Sequence, residues 1–254
     1  LPGIFVEAGQ SQIILKQALT MSTIEQNYQS VQQRLQQACH DSQRAAHEVR
    51  LLAVSKTKPA SQVEAIYRLG QRAFGENYVQ DGLEKITALT HLADIEWHFI
   101  GPLQANKSRP VAEHFHWVET IDRDKIARRL SDQRPATMPD LQVLVQVNIS
   151  REAQKAGVLP EQTLEFARTV AALPRLQLRG LMCIAEATAD QTVLADQFAR
   201  MRTLYEQLQQ EFPRVDTLSM GMSADLELAI ACGSTEIRIG SDIFGARDYP
   251  AARP

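Results

Sequence analysis

The amino-acid sequence predicts an α/β protein built as a single (β/α)8 TIM barrel with an extra N-terminal helix. From residue 51 onward, short apolar or β-branched runs alternate with longer segments of helical period, and eight such units follow one another. No linker, internal repeat or change of composition divides the 254 residues into two domains. Alternating strands and helices form parallel sheets, and eight units are the number that closes this barrel.

The extra helix is predicted from about Thr23 to His40. Ser22 and Glu25 have the spacing of a capping box ahead of it. The buried face of the helix consists of apolar residues at helical spacing, with Gln and Arg between them: Ile24, Tyr28, Val31, Leu35 and Ala38.

Residues 1–20 are expected to stand outside the barrel domain. They precede Met21, the first methionine, and they contain no basic segment ahead of a compact apolar stretch. A signal peptide therefore fits them poorly. We interpret them as a leader or an added extension, and we assign the barrel to residues 21–254.

The barrel elements follow in chain order. The predicted strands cover 51–55, 72–75, 97–101, 116–120, 141–149, 176–184, 216–220 and 236–240. The predicted helices lie near 61–69, 78–90, 104–113, 122–132, 161–172, 190–211 and 223–232. A doubly wound open sheet would show the same alternation. It would bind its usual dinucleotide through a glycine-rich turn after the first strand, and residues 55–59 contain no glycine, which favours the barrel.

Composition argues against several classes of function. The chain has 27 Lys and Arg residues against 30 Asp and Glu residues, so no overall attraction for nucleic acid or anionic membranes is expected. No apolar run approaches the length of a membrane span. Cys39, Cys183 and Cys232 are far apart and form no metal-ligand spacing with histidines, which predicts free thiols, no metal site and a cytoplasmic location.

Polar residues follow most of the predicted strands, where barrels of this kind build their active sites. Small and hydroxyl residues follow the seventh and eighth strands, the usual place for a phosphate: Gly221, Ser223, Gly240 and Ser241. A phosphate site is the resulting interpretation. The alternative is that Ser223 only caps the helix predicted from 223 to 232 and that Gly240 only permits a turn.

Lys56 directly follows the first predicted strand, which would place its amine at the mouth of the barrel. Partial burial and nearby cations there would lower the pKa of the amine and make it nucleophilic. Together with a phosphate site, this lysine indicates Schiff-base chemistry. Lys56 could equally be a rim residue that reaches solvent, as could Lys58.

Six ordered stretches resemble the YggS/PROSC family, also called pyridoxal phosphate homeostasis proteins, over nearly everything from Met21 to Tyr249. These stretches are 52–59 (LAVSKTKP), 74–80 (FGENYVQ), 97–104 (WHFIGPLQ) with Asn106 and Lys107, 178–182 (LRGLM), 218–223 (LSMGMS), and 238–240 (RIG) through 244–247 (FGAR). The resemblance implies a fold-type III barrel for pyridoxal 5'-phosphate (PLP), like the N-terminal domain of alanine racemase.

The resemblance also implies roles for individual residues. Lys56 would carry PLP as a Schiff base, and Arg238 would face the pyridine nitrogen. Ser223 and the backbone of Gly240 and Ser241 would hold the phosphate. Three further residues would line the ring and the mouth of the cavity: Asn77, His98 and Met220.

The same resemblance suggests a cytoplasmic protein that stores, buffers or delivers PLP and is not an efficient enzyme. Only 250–254 follow Tyr249, so we expect no second domain to supply the opposing catalytic tyrosine of a racemase. Apo PLP-dependent enzymes are the candidate recipients, and a monomer is expected. The alternatives are a PLP-dependent racemase or decarboxylase completed by a partner chain, and a Schiff-base aldolase that acts on phosphorylated sugars without PLP.

Overall fold

The computed structural model describes the backbone of residues 4–246 and the side chains of residues 22–246. Eight parallel strands form a closed barrel in the order β1 to β8, and β1 pairs with both β2 and β8. The strands are β1 (Arg50–Val54), β2 (Ala73–Glu76), β3 (Glu96–Phe99), β4 (Trp117–Ile121), β5 (Leu141–Val147), β6 (Leu176–Cys183), β7 (Thr217–Ser219) and β8 (Glu236–Ile239). The predicted fold class is confirmed.

Helices follow the strands and cover the outside of the barrel. They are α1 (Ile4–Asp41), α2 (Ala60–Arg68), α3 (Val79–Ala88), α4 (Ser108–His114), α5 (Asp124–Gln133), α6 (Thr163–Ala171), α7 (Gln191–Glu211), α8 (Leu226–Ala231) and α9 (Ser241–Phe244). Among the described residues, none of the helices is long and apolar enough to cross a membrane.

Helices α1, α4 and α8 begin at a clearly different residue from the one the sequence predicts. Helix α4 begins at Ser108, four residues after its predicted start, because residues 105–107 form a separate 3-10 turn. Helix α1 runs without a break from Ile4, so Ser22 lies inside a helix and does not start one. Helix α8 begins at Leu226, three residues after Ser223. The intervening residues form a turn, in which the Asp225 amide donates to the Met222 carbonyl and the Met222 amide donates to the Asp225 carboxylate.

The strands separate an apolar outer layer from a polar barrel interior. In β8, Ile237 and Ile239 belong to the apolar core beneath the helices, whereas Glu236 and Arg238 alternate with them and face the inside. The carboxyl ends of all eight strands meet at one end of the barrel, here called the carboxyl end, and the opposite end is called the amino end. The extra helix α1 packs against α2, α8 and α9.

Candidate functional site

A cavity of about 390 Å³ opens at the carboxyl end of the barrel. Its wall contains six of the eight residues predicted from the sequence: Lys56, Asn77, Ser223, Arg238, Gly240 and Ser241. These residues come from the segments after β1, β2 and β7, from β8, and from the turn after β8. Parallel strands of a closed barrel thus bring together side chains that are up to 185 positions apart in the sequence.

Two predicted residues lie away from this cavity. The side chains of His98 and Met220 are fully buried, and neither belongs to the cavity wall. Met220 packs in the apolar layer outside the strands, and His98 lies inside the barrel, stacked on Trp117 at 5.0 Å between ring centroids. Their positions give no support to direct contact with a ligand.

Lys56 sits in a tight turn that directs it to the cavity. The next residue, Thr57, has a positive φ of 63°, a conformation that costs free energy for a residue other than glycine. The Thr57 amide donates to the Asp81 carboxylate at 2.9 Å, and the Lys58 amide donates to the Ser55 carbonyl at 3.1 Å. Both neighbours of Lys56 are therefore fixed by hydrogen bonds.

A buried ion pair supports this turn from below. The Lys85 ammonium donates to the Glu76 carboxylate and to the Ser55 carbonyl, each at 2.7 Å, and to the Asp81 carboxylate at 3.0 Å. Burial raises the pKa of Glu76 to about 7, although the Lys85 charge acts in the opposite direction. The Ser55 hydroxyl donates to the same carboxylate.

Sequence reasoning missed the role of Glu76 and Lys85. Glu76 directly follows a predicted strand, which could have marked it as buried, but Lys85 is nine residues later on a helix and looks like an ordinary surface lysine. Only the tertiary structure shows that the two side chains meet.

The turns after β7 and β8 present backbone donors near the cavity. Several backbone N–H groups in these turns have no acceptor within residues 22–246, and they include those of Ser223, Ala224, Ser241 and Asp242. Gly240 lies close to the Val54 carbonyl, which a Cβ atom at position 240 would approach to 3.2 Å. Such a set of unpaired donors suits an anion with several oxygens.

Arg238 forms the floor of the cavity and is held in one orientation. Its Nη1 donates to the Ser219 hydroxyl at 2.9 Å, and its Nη2 donates to the Cys183 carbonyl at 2.8 Å. The residue is only 6% exposed, so its charge acts in a poorly solvated environment. A guanidinium has donors and no acceptor.

A hydrogen-bonded chain continues from Arg238 into the barrel. The Ser219 hydroxyl donates to Glu119 at 2.9 Å, and His98 Nδ1 contacts the other oxygen of Glu119 at 2.6 Å. Arg50 donates to the remaining ring nitrogen of His98. Burial lowers the pKa of His98, and the Arg50 charge adds to that effect, so a neutral ring that donates to Glu119 fits both contacts.

Three ligand-type side chains lie together inside the barrel. Metal-binding atoms of His98, Glu119 and Glu236 fall within 4.8 Å of one another, and all three residues are buried. Arg50 lies 3.6 Å from Glu236, and Arg238 adjoins the same group through Ser219. Two cations beside the cluster disfavour a metal ion, and the absence of a metal site stays a prediction.

Comparison with known proteins identifies the family. The alanine racemase N-terminal domain family matches residues 20–248. A pyridoxal phosphate homeostasis protein of Pasteurella multocida is 52% identical over 89% of this chain and 99% of its own length. The corresponding protein of Escherichia coli is 51% identical over 90% of this chain and 99% of its own length.

A solved structure adds a ligand to this comparison. PipY of Synechococcus elongatus, determined with PLP bound, is 38% identical, covers 78% of this chain and 93% of its own, and has a TM-score of 0.71. The family predicted from the six sequence stretches is confirmed. The chain belongs to the alanine racemase N-terminal domain family and, within it, to the pyridoxal phosphate homeostasis proteins.

Proposed function

We propose that this chain binds PLP in the carboxyl-end cavity and serves PLP (vitamin B6) homeostasis as a holder of the cofactor. The observation that carries the proposal is that a lysine amine directly after β1 and backbone donors without an acceptor within residues 22–246 share a single cavity. Lys56 and the turns that contain Ser223 and Ser241 all line it. Homeostasis proteins with about half of their residues identical, and a relative solved with PLP bound, support the same ligand.

The residues of the cavity match the functional groups of PLP one by one. Lys56 offers an amine for reversible covalent attachment at the aldehyde. Ser223, Ser241 and the backbone N–H groups of their turns, with Gly240 permitting close approach, offer donors for the phosphate. Asn77 Oδ1 is buried and has no donor among the described residues, so it offers an acceptor for a ring hydroxyl. His98 would not contact PLP itself. It would act indirectly, through the hydrogen bonds that link it to Glu119, Ser219 and Arg238.

We further propose that the bound cofactor does little catalysis. PLP normally supplies an electron sink for carbanions, and a protonated ring nitrogen strengthens that sink. The Ser219 hydroxyl and the Cys183 carbonyl hold Arg238 as a cation that cannot accept a proton. If Arg238 faces the ring nitrogen, as the family resemblance implies, the ring stays unprotonated and the sink is weak.

The composition of the cavity wall supports the same conclusion. Among the described residues, the wall contains no tyrosine, histidine or carboxylate side chain, and its titratable groups are Lys56, Lys58 and Arg238. A racemase needs an acid–base group on each face of the carbanion. We propose a cytoplasmic, monomeric carrier formed by residues 21–254 that passes PLP to apo PLP-dependent enzymes.

The test is an absorption spectrum of the purified protein with PLP, before and after borohydride, followed by peptide mapping. We expect a yellow protein whose reduced adduct maps to Lys56. Lys56→Ala is expected to abolish the adduct, whereas Lys58→Ala, a lysine of the same cavity, is expected to keep it.

Other outcomes would each correct a different part of the proposal. A reducible adduct that survives Lys56→Ala would refute the lysine assignment. A protein that takes up no PLP, but is trapped by borohydride with a sugar phosphate, would be an aldolase. Turnover of a free amino acid at ordinary enzymatic rates, on the order of 1 to 1000 per second, would refute the carrier role.

A further inference from the structure

We infer that Arg34, on the extra helix α1, is a positioning residue that holds the two phosphate-binding turns of the cavity together. The inference rests on the proposed function, because it concerns the phosphate end of the same site. Arg34 does not line the cavity. It acts on the turn after β7, which contains Ser223, and on the turn after β8, which contains Ser241 and Asp242.

One guanidinium joins the two turns directly. Arg34 Nη2 donates to the Ser223 carbonyl at 3.1 Å, and Nη1 donates to the Asp242 carboxylate at 3.0 Å. Nε and Nη2 also make a two-pronged contact with Glu227, in the first turn of α8, at 2.9 and 3.1 Å. The planar fork of arginine suits this arrangement, and lysine could not make these contacts together.

The geometry of an anion site depends on this link. The unpaired N–H groups belong to two turns that follow different strands, so whether they can bind one phosphate together depends on the distance between the turns. Asn27, also on α1, donates to the Ile243 carbonyl at 3.2 Å and fixes α9 from the same side. Helix α1 therefore serves as a brace for the site.

Charge adds a second effect. Asp242 and Glu227 lie beside the turns that would hold a phosphate dianion, and without a counter-ion their carboxylates would repel it. Arg34 pairs with both. The side chains of these pairs are one third to one half exposed, so water screens part of the interaction, and the effect on affinity is moderate.

The test uses Arg34→Gln in the full-length protein. We expect the Kd for PLP to rise about tenfold, in line with the loss of charge-assisted contacts, and the Kd for pyridoxal, which lacks the phosphate, to change less than about twofold. The Kd for inorganic phosphate, measured by competition with PLP, should also be higher for the variant. A merely structural role would weaken both ligands equally.

Arg44→Gln is the matched control. Arg44 clamps the far end of α8 in the same manner, donating to the Ile230 carbonyl at 3.0 Å and the Ser234 carbonyl at 2.6 Å, but it does not touch the cavity turns. Its loss should leave both Kd values unchanged. A second variant, Asp242→Asn added to Arg34→Gln, should recover part of the PLP affinity, because it removes the carboxylate that Arg34 neutralises.

The outcomes separate the two proposals. If the unaltered protein binds no PLP, the proposed function is wrong and the inference falls with it. If the unaltered protein binds PLP and Arg34→Gln binds it equally well, or loses pyridoxal to the same extent, only the inference is wrong. An equal loss in Arg44→Gln, or no recovery with Asp242→Asn, would also overturn it.

Discussion

The two ends of the barrel carry cavities of similar size and different chemistry. The amino-end cavity, of about 420 Å³, is lined in part by Arg50, Arg72 and Glu96. Each arginine there already has a carboxylate, Arg50 with Glu96 at 2.6 Å and Arg72 with Asp94 at 2.5 Å. At the carboxyl end, donors in the turns after β7 and β8 have no acceptor within residues 22–246. Unsatisfied hydrogen-bonding groups, and not volume, distinguish the candidate site.

The barrel interior between the two ends has hydrogen-bond acceptors without donors, whereas the carboxyl end has donors without acceptors. Glu236 is fully buried, and neither of its oxygens has a hydrogen-bond partner among the described residues. A spare donor at an open cavity can bind an anion, whereas a buried carboxylate that accepts no hydrogen bond takes up a proton more readily than an exposed one. Burial raises the pKa of Glu236 to about 7, and the nearby Glu119 adds to that effect.

The largest expected effect comes from the buried ion pair under Lys56. Lys85→Met leaves the Glu76 carboxylate without its cation, since the two side chains are 4% and 0% exposed. We expect a loss of about 3 to 5 kcal/mol in the free energy of unfolding, measured by urea denaturation at pH 7.5. The control at the amino end is Arg72→Met, whose pair with Asp94 is about half exposed and should cost about 1 kcal/mol or less. Equal losses would remove this distinction between the ends.

A smaller effect is expected from a glycine in the turn after β7. Gly221 has a φ of +98°, and a Cβ atom there would lie 2.5 Å from the Ala229 Cβ. Gly221→Ala should reduce the free energy of unfolding by about 2 to 4 kcal/mol, from backbone strain and overpacking together.

Gly70, in the loop before β2 at the amino end, isolates the backbone contribution. It has a similar φ of +102°, but a Cβ atom there would meet nothing within 4 Å. Gly70→Ala should therefore cost only about 1 to 2 kcal/mol. A loss at position 221 no greater than that at position 70 would show that packing of the phosphate turn contributes little.

The smallest effect concerns the interior carboxyl, and it depends on pH. Glu236 has an ordinary pKa of 4.5 in the unfolded chain and about 7 in the folded one, so the folded state binds the proton more tightly. The free energy of unfolding then falls as pH rises from about 4.5 through 7. Glu236→Gln cannot ionise, so its stability relative to the unaltered protein should rise by about 1 to 3 kcal/mol between pH 5 and pH 8.5.

Urea denaturation at the two pH values measures this change. Glu119→Gln is the control, because Glu119 accepts hydrogen bonds from His98 and Ser219, and the substitution should destabilise the protein at both pH values. A pH-independent effect of Glu236→Gln would mean that the interior carboxyl is already paired in solution.

The sequence determined the barrel because its signals are local. Strand and helix periods depend on near neighbours, and the predicted strands overlap the observed ones to within two residues at each end. The predicted start of α8 was wrong because a side chain sets the turn at Ser223. The Asp225 carboxylate accepts a hydrogen bond from the Met222 amide. The position of six site residues followed from the rule that strand ends meet at one end of a barrel.

Only the tertiary structure decided how each polar residue is paired. The sequence singled out Lys56 and Arg238, but it cannot show that Lys85 supports a turn, that Arg34 joins two turns, or that Arg238 is fixed by Ser219 and Cys183. It also placed His98 at the cavity, whereas the fold buries it in the interior chain. Hydrogen bonds and ion pairs depend on distances between segments far apart in the chain, and those distances exist only once the barrel has closed.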